Sequence, residues 1–174
     1  MAIYTRRGDK GKTALYDPKG RQDIRVDKDS LRIESIGAID ELNSFLGIIS
    51  SSSSEKKLIK LIKEVQKNLF TIGSILAGAK IGFSKAKTQK LEKTIDSLEG
   101  KLPVIKNFVI PGGFLVSSHL QYARALTRRT ERSIVVLSGV EGVKPQILSY
   151  LNRLSDYLFM LARDENYKKQ VKEE

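Results

Sequence analysis

Residues 8–13 read Gly-Asp-Lys-Gly-Lys-Thr and end as a phosphate-binding P-loop does, in Gly11-Lys12-Thr13. The full motif needs a glycine five positions before Gly11, where Arg6 stands, and the flanking apolar strand and helix are missing. The segment is therefore not read as a P-loop. Its chemistry still suits a polyphosphate, because Gly8 and Gly11 bare their amides and Thr5, Thr13, Arg6, Arg7, Lys10, Lys12 and Lys28 supply hydroxyls and cations. The alternative is a solvated basic tail, which composition alone slightly favours. A second group lies at helical spacing. At about 100° per residue, Arg124, Arg128 and Glu131 fall within about 60° of one another, with Arg132 at the edge of that face. Like charges stacked four residues apart repel, so the stripe requires anions. Farther along, Ser149, Asn152 and Asp156 share a face flanked by Arg153. A ligand site and an ion-paired seam between helices or subunits both fit these two faces.

The inventory also excludes chemistry. With no cysteine, the chain has no disulfide, thiolate metal site or cysteine nucleophile. One histidine, His119, rules out a two-histidine metal site and leaves a single route to a Ser-His-Asp triad. Alone, His119 reads as a packing or hydrogen-bonding residue. The net charge of +11 admits nucleic acid, an anionic membrane face or phosphorylated small molecules as partners. All eleven arginines lie within 1–32 or 124–163, whereas every basic residue from Lys56 to Lys106 is lysine. Arginine is the planar fork that grips phosphate, and lysine the hydrated surface cation. The working parts are therefore expected at the two ends of the chain.

These groups must be held by a scaffold, and its period is helical. Ile33, Ile36, Ile39, Leu42 and Leu46 mark a first helix from Ser30 to the serine run at 50–54. Ser52 and Glu55 have capping-box spacing, so a helix start is placed there. Leu58 to Leu76 predicts a long second helix, and Thr88 to Leu98, closed by Gly100, a third. The stretch FVIPGGF at 108–114 breaks the pattern, and Phe108 and Phe114 beside it read most simply as core closure. A fourth helix is expected over Leu115 to Leu137 and a fifth from Pro145 to Tyr167. Residues 1–29 read as loop with a short strand at Ala2 to Thr5, no hairpin signal appears, and the loops between helices are expected to be short. The fold class is all-α, a five-helix bundle of 30–174 in one domain of 1–174, with 1–29 as a glycine-rich basic segment. No targeting or membrane-spanning stretch is evident, so a cytoplasmic protein is expected.

Three long motifs resemble the PduO-type ATP:cob(I)alamin adenosyltransferases: YTRRGDKGKT at 4–13 with VDKD at 26–29 and AIDELNSFLG at 38–47; FVIPGG at 108–113 with ARALTRRTER at 123–132; and YLNRLSDYLFMLAR at 150–163. The resemblance runs through nearly the whole chain and implies a trimer of five-helix bundles with active sites between subunits. It implies that Thr5, Arg6, Arg7, Gly8, Thr13 and Lys28 wrap ATP, with Arg128, Arg129, Glu131, Arg132 and Asn152 completing the nucleotide site. Asp156 joins that site by sharing the face of Asn152. Asp40 and Arg124 match a pair bridging subunits, and Phe108 matches an aromatic that crowds the lower face of the corrin and keeps cobalt free of its benzimidazole. Arg7, Lys12 and Ala14 depart from the common residues of the family, and 17–25 is longer than usual.

The implied reaction transfers the 5′-deoxyadenosyl group of ATP to cob(I)alamin. Mg2+ is expected with ATP, and a cobalamin reductase and an adenosylcobalamin-dependent acceptor enzyme are the expected partners. Such chemistry needs positioning and charge neutralisation rather than a protein nucleophile. Two rivals are a basic RNA-binding helical protein, for which an interleaved aromatic platform is lacking, and a cobalamin or nucleotide sensor without turnover. No nucleic acid and no membrane are expected as partners.

Overall fold

A computed structural model describes residues 4–16 and 24–172. Two short strands, β1 (Lys12–Ala14) and β2 (Arg25–Asp27), precede five helices: α1 (Leu31–Ser52), α2 (Lys56–Leu76), α3 (Ala86–Glu99), α4 (Leu115–Ser138) and α5 (Pro145–Lys168). Each predicted helix is present, with ends within about two residues of the expected ones, the ordinary scatter of frayed termini. Pro145 opens α5 because its missing N–H is one of the donors a helix start leaves unpaired anyway.

Helix α1 packs against both α2 and α4, α4 against α5, and α5 against α3. The apolar stripes meet along these seams. Leu42, Leu46 and Ile49 of α1, Ile62, Leu69 and Ile72 of α2, Leu120, Ile134 and Leu137 of α4, and Ile147 and Leu151 of α5 are fully buried. Burying each such side chain stabilises the fold by about 1.5–3 kcal/mol. Small residues bring α1 and α4 close: Thr130 Oγ1 donates to the Ala38 carbonyl at 3.1 Å, and Ser35 Oγ to that of Ser133 at 3.3 Å. Across the bundle, Asn68 Nδ2 of α2 donates to the buried Tyr150 hydroxyl of α5 at 3.1 Å. Burial raises the Tyr150 pKa well above the ordinary tyrosine value, so the phenol stays neutral there.

Four expectations are corrected. The amino-terminal segment does form a hairpin, with Lys12, Thr13 and Ala14 antiparallel to Asp27, Val26 and Arg25. Its strands have three residues each and a long connection, so they carry no tight-turn signal. The strand expected at Ala2 to Thr5 is not seen at Tyr4 and Thr5, and Ala2 and Ile3 lie outside the described residues. Ser52 does not cap α2. Its Oγ donates back to the Ile48 carbonyl inside α1 at 2.8 Å, and Glu55 stands at the start of α2 without a side-chain cap. Lastly, the α3 to α4 connection over 100–114 is long and irregular, because Pro103, Pro111, Gly112 and Gly113 cannot sustain a helix.

The hairpin is tied to the end of α2, where the Tyr16 N–H donates to the Ala77 carbonyl at 3.1 Å. Gly78 adopts φ +115°, and a Cβ there would stand 2.7 Å from the Tyr16 carbonyl oxygen. Gly78→Ala should therefore both strain the backbone and push the hairpin off α2. A loss of about 1–3 kcal/mol is expected, the range for a residue forced into a sparsely populated conformation. Chemical denaturation checks it, and wild-type stability would show that Tyr16 does not anchor the segment.

Candidate functional site

The expected phosphate segment is a pair of overlapping turns closed by β1 and β2. Asp9 N–H donates to the Arg6 carbonyl at 3.4 Å and Gly11 N–H to that of Gly8 at 3.3 Å. Arg6 at φ +59° and Gly11 at φ +75° occupy the left-handed region that turns successive amides toward a common side. Lys28 closes the loop. Its N–H donates to the Gly11 carbonyl at 2.9 Å, and its ammonium lies so near Gly8 that a Cβ there would approach it to 3.4 Å. Arg25, which sequence reading left aside, braces the turn by donating to the carbonyls of Arg7 and, at 3.0 Å, Lys12. Lys12 is paired with Asp27 at 2.9 Å. Thr5, Arg6 and Arg7 are exposed, and Thr13 is half-buried. Thr13 also borders a cavity of about 480 Å³ that reaches Asp40 and Asn43 on α1 and Phe70 and Gly73 on α2.

The arginine stripe is sorted by its partners. Arg129 turns to α1 and pairs with Glu41, whose hydrogen bond and charge raise the guanidinium pKa further. Arg124 donates to Gln121 at 2.9 Å. Glu131 accepts a hydrogen bond from Asn152 at 3.1 Å, which joins the α4 and α5 faces as the helical spacing suggested. Asp156 is held by Arg153 at 2.6 Å, and Arg153 also reaches Glu92 on α3 at 3.3 Å. Arg128 and Arg132 are exposed, and among the described residues neither has an ion-pair or hydrogen-bond partner. Two adjacent guanidinium forks are thus left for an anion from outside the chain. Asp40 and Arg124 are not brought together within one chain: Asp40 borders the α1–α2 cavity and Arg124 is turned to Gln121.

His119 is half-buried with its ring edge-on to Phe45, centroids 5.9 Å apart, and its Nδ1 is buried without a partner among the described residues. It packs as expected.

Phe108 lies in the long connection before α4 and is fully exposed, at 102% of its reference surface. Core closure, the plain reading of its position, is therefore corrected for Phe108, while Phe114 does pack against the core. Val104 and Ile105 are exposed with it over a cavity of about 810 Å³ whose far wall is Arg163, Tyr167, Lys168 and Val171 near the end of α5, and Ile110, two residues on, is exposed as well. An exposed apolar cluster over a cavity of this size fits a large, mostly apolar ligand. On the cavity wall Lys168 is gripped by Glu55 and Asp164 at 2.7 Å and Glu165 at 3.1 Å. Burial works against its charge, but the three carboxylates hold its pKa above the ordinary lysine value. Burial and the hydrogen bond with Glu55 push Glu165 upward. Burial pushes Glu55 upward too, but the bonds from Lys168 and Glu165 outweigh it and hold Glu55 below its usual value.

The sequence profile of the cobalamin adenosyltransferases matches residues 3–165, almost the entire chain. The chain belongs to this family. A corrinoid adenosyltransferase of Bacillus subtilis is 39% identical over 174 residues, covering 95% of this chain and 87% of that protein. One from Citrobacter freundii is also 39% identical, over 170 residues and 94% of each. Among solved structures, a phenylalanine-to-histidine variant of the PduO-type ATP:corrinoid adenosyltransferase from Lactobacillus reuteri, complexed with cobalamin and ATP, superposes with a TM-score of 0.91 at 36% identity, covering 99% of this chain and 95% of that one. The five-helix architecture read from apolar periodicity is thus the architecture of the family.

Proposed function

We propose that the chain transfers the 5′-deoxyadenosyl group of ATP to cob(I)alamin, giving adenosylcobalamin and triphosphate. The observation that carries the reading is the pair of uncommitted guanidinium forks, Arg128 and Arg132, on a chain with no cysteine and one packed histidine. A reaction between two bound substrates asks for that inventory. The cobalt of cob(I)alamin supplies the electron pair for the new bond to the ribose 5′ carbon, and the bond from that carbon to the triphosphate oxygen breaks with its pair leaving on triphosphate. No protein base is needed. The protein's task is to align carbon with cobalt, to neutralise the departing charge and to keep water out.

In this reading Thr5, Arg6, Arg7, Gly8, Thr13 and Lys28 wrap the nucleotide. Arg128 and Arg132 meet its phosphates, with Arg129 held next to them by Glu41, Glu131 and Asn152 setting the edge of that face and Asp156 beside it. Phe108 leans over the corrin and holds the benzimidazole away from cobalt. Among the described residues no three His, Asp or Glu side chains gather to hold a metal ion, so Mg2+ would travel on the triphosphate oxygens. The hairpin lines a cavity with α1 and α2 while the arginine stripe lies on α4, so a neighbouring copy can set one against the other and pair Asp40 with Arg124. This supports an assembly of copies, and with the three copies that the resemblance implies we propose a homotrimer. Sedimentation of the active protein is expected at three times the 19.5 kDa chain mass, and an active monomer would refute the shared site.

A reductase delivering cob(I)alamin and an enzyme consuming adenosylcobalamin complete the proposed setting, which is cytoplasmic. Among the described residues no helix is long and apolar enough to cross a membrane. The direct test is anaerobic: chemically reduced cobalamin and MgATP with the purified chain should develop the adenosylcobalamin spectrum with matching triphosphate release. ATP binding without conversion would make the protein a sensor instead. RNA retention that falls steeply with salt would favour the nucleic-acid rival.

A further inference from the structure

The connection over 100–114 is clamped at both feet by one face of α5. At its entry, Arg163, only 5% exposed, donates from Nη2 to the Pro103 carbonyl at 2.8 Å. At its exit, Asn166, 4% exposed, donates from Nδ2 to the Gly112 carbonyl at 3.1 Å and accepts from the Phe114 N–H at 3.0 Å. Gly113 between them has φ +102°, and a Cβ there would lie 2.3 Å from Asn166 Oδ1. The carboxamide therefore fills the space a side chain would take. Ser117 adds a second donor to the Gly112 carbonyl at 3.3 Å. Arg163 and Asn166 are three residues apart, so a single stripe of the helix grips both ends of the arch.

Among the described residues nothing comparable holds the arch between the feet, and the hydrophobic effect acts against its form. Val104, Ile105 and Phe108 are exposed along the cavity, and collapse of these side chains into it would remove them from water. Polar clamps on the main chain oppose that collapse, because shifting the entry foot breaks the buried bond from Arg163 and shifting the exit foot leaves the Asn166 carboxamide without its main-chain partners. Resting on the function proposed above, we infer that Arg163 and Asn166 are positioning residues that hold this arch open and set where Phe108 meets the corrinoid. Neither residue was singled out from the sequence, since the main-chain partner that reveals its role lies more than fifty positions away.

The test is Asn166→Ala, with the nearly isosteric Asn166→Asp beside it, in the full chain. Asp keeps the acceptor for the Phe114 N–H but sets an anion against the Gly112 carbonyl, so both variants release the exit foot. For both, kcat/KM for cob(I)alamin should fall on the order of 100-fold, the scale of a displaced contact of about 1 Å. Two readouts separate positioning from general damage, since the lost buried hydrogen bonds should lower the melting temperature of both variants by a few degrees: the KM for ATP should stay within about twofold, and the ATP-bound enzyme should hold less cob(II)alamin free of its benzimidazole ligand by absorption. Chymotrypsin should also cut more slowly after Phe108 as the ring turns inward. Unchanged corrinoid kinetics, or equal losses for ATP and corrinoid, would overturn the inference. Failure of both variants to fold would assign Asn166 to the core and overturn it too. If wild-type protein makes no adenosylcobalamin, the functional reading fails instead, and unaltered chymotrypsin cleavage in the variants would then count against the open arch on its own.

Discussion

Phe108→Ala should lower turnover of cob(II)alamin under reducing conditions on the order of 100-fold, with ATP affinity and thermal stability unchanged. The stability half of this expectation comes from burial. A phenylalanine exposed at 102% contributes almost nothing to the core, so its truncation belongs with surface substitutions, within about 0.5 kcal/mol. A chain that keeps a ring in water forgoes roughly 1.5–3 kcal/mol that burial would have supplied. That exposure, beside Val104 and Ile105 over a cavity of about 810 Å³, is explained if the ring is completed by a ligand. Steady-state kinetics with each substrate varied in turn is the check. Equal loss of ATP affinity, or a fall in melting temperature, would return Phe108 to a structural role.

Arg128→Lys is the second large expectation, a rate loss of roughly 10²- to 10³-fold at saturating substrates, as found when one donor to developing negative charge is removed. The substitution keeps the charge and discards the fork, so it separates bidentate positioning from simple neutralisation. Among the described residues Arg128 has no ion-pair or hydrogen-bond partner, so the variant should melt as the wild type does. Arg129, committed to Glu41, offers no such clean separation, because its replacement also breaks an α1–α4 contact. A small rate loss for Arg128→Lys would leave the stripe a point-charge role only. Early melting without ligand would place Arg128 in a seam between subunits and remove it from the reaction.

Five helices, their order and nearly all their limits were legible in the sequence, because each must bury one stripe and the apolar period therefore repeats every three to four residues. Leu42, Leu46 and Ile49, or Ile62, Leu69 and Ile72, announce the core before any contact is known. The arginine face was legible for the same geometric reason, and so was the break at Pro111-Gly112-Gly113. The β1–β2 hairpin was not. Three-residue strands joined by a long connection are held by Arg25, Lys28 and the anchor of Tyr16 on Ala77, contacts that local propensity does not encode.

Tertiary structure also decided which members of the charged set are spent and which are free. Sequence spacing sets Arg124, Arg128 and Arg132 on one face and the resemblance adds Arg129, yet packing of α1 against α4 commits Arg129 to Glu41 and leaves Arg128 and Arg132 facing outward. In the same way Pro-Gly-Gly marks a turn, but only the docking of α5 shows that Asn166 occupies the space beside Gly113. Periodicity is a local property of the chain, whereas partner choice depends on which surfaces the fold brings within about 3 Å of one another. The sequence by itself determined the helices and the kinds of chemistry available to them. The packing of those helices determined which side chains were left to perform it.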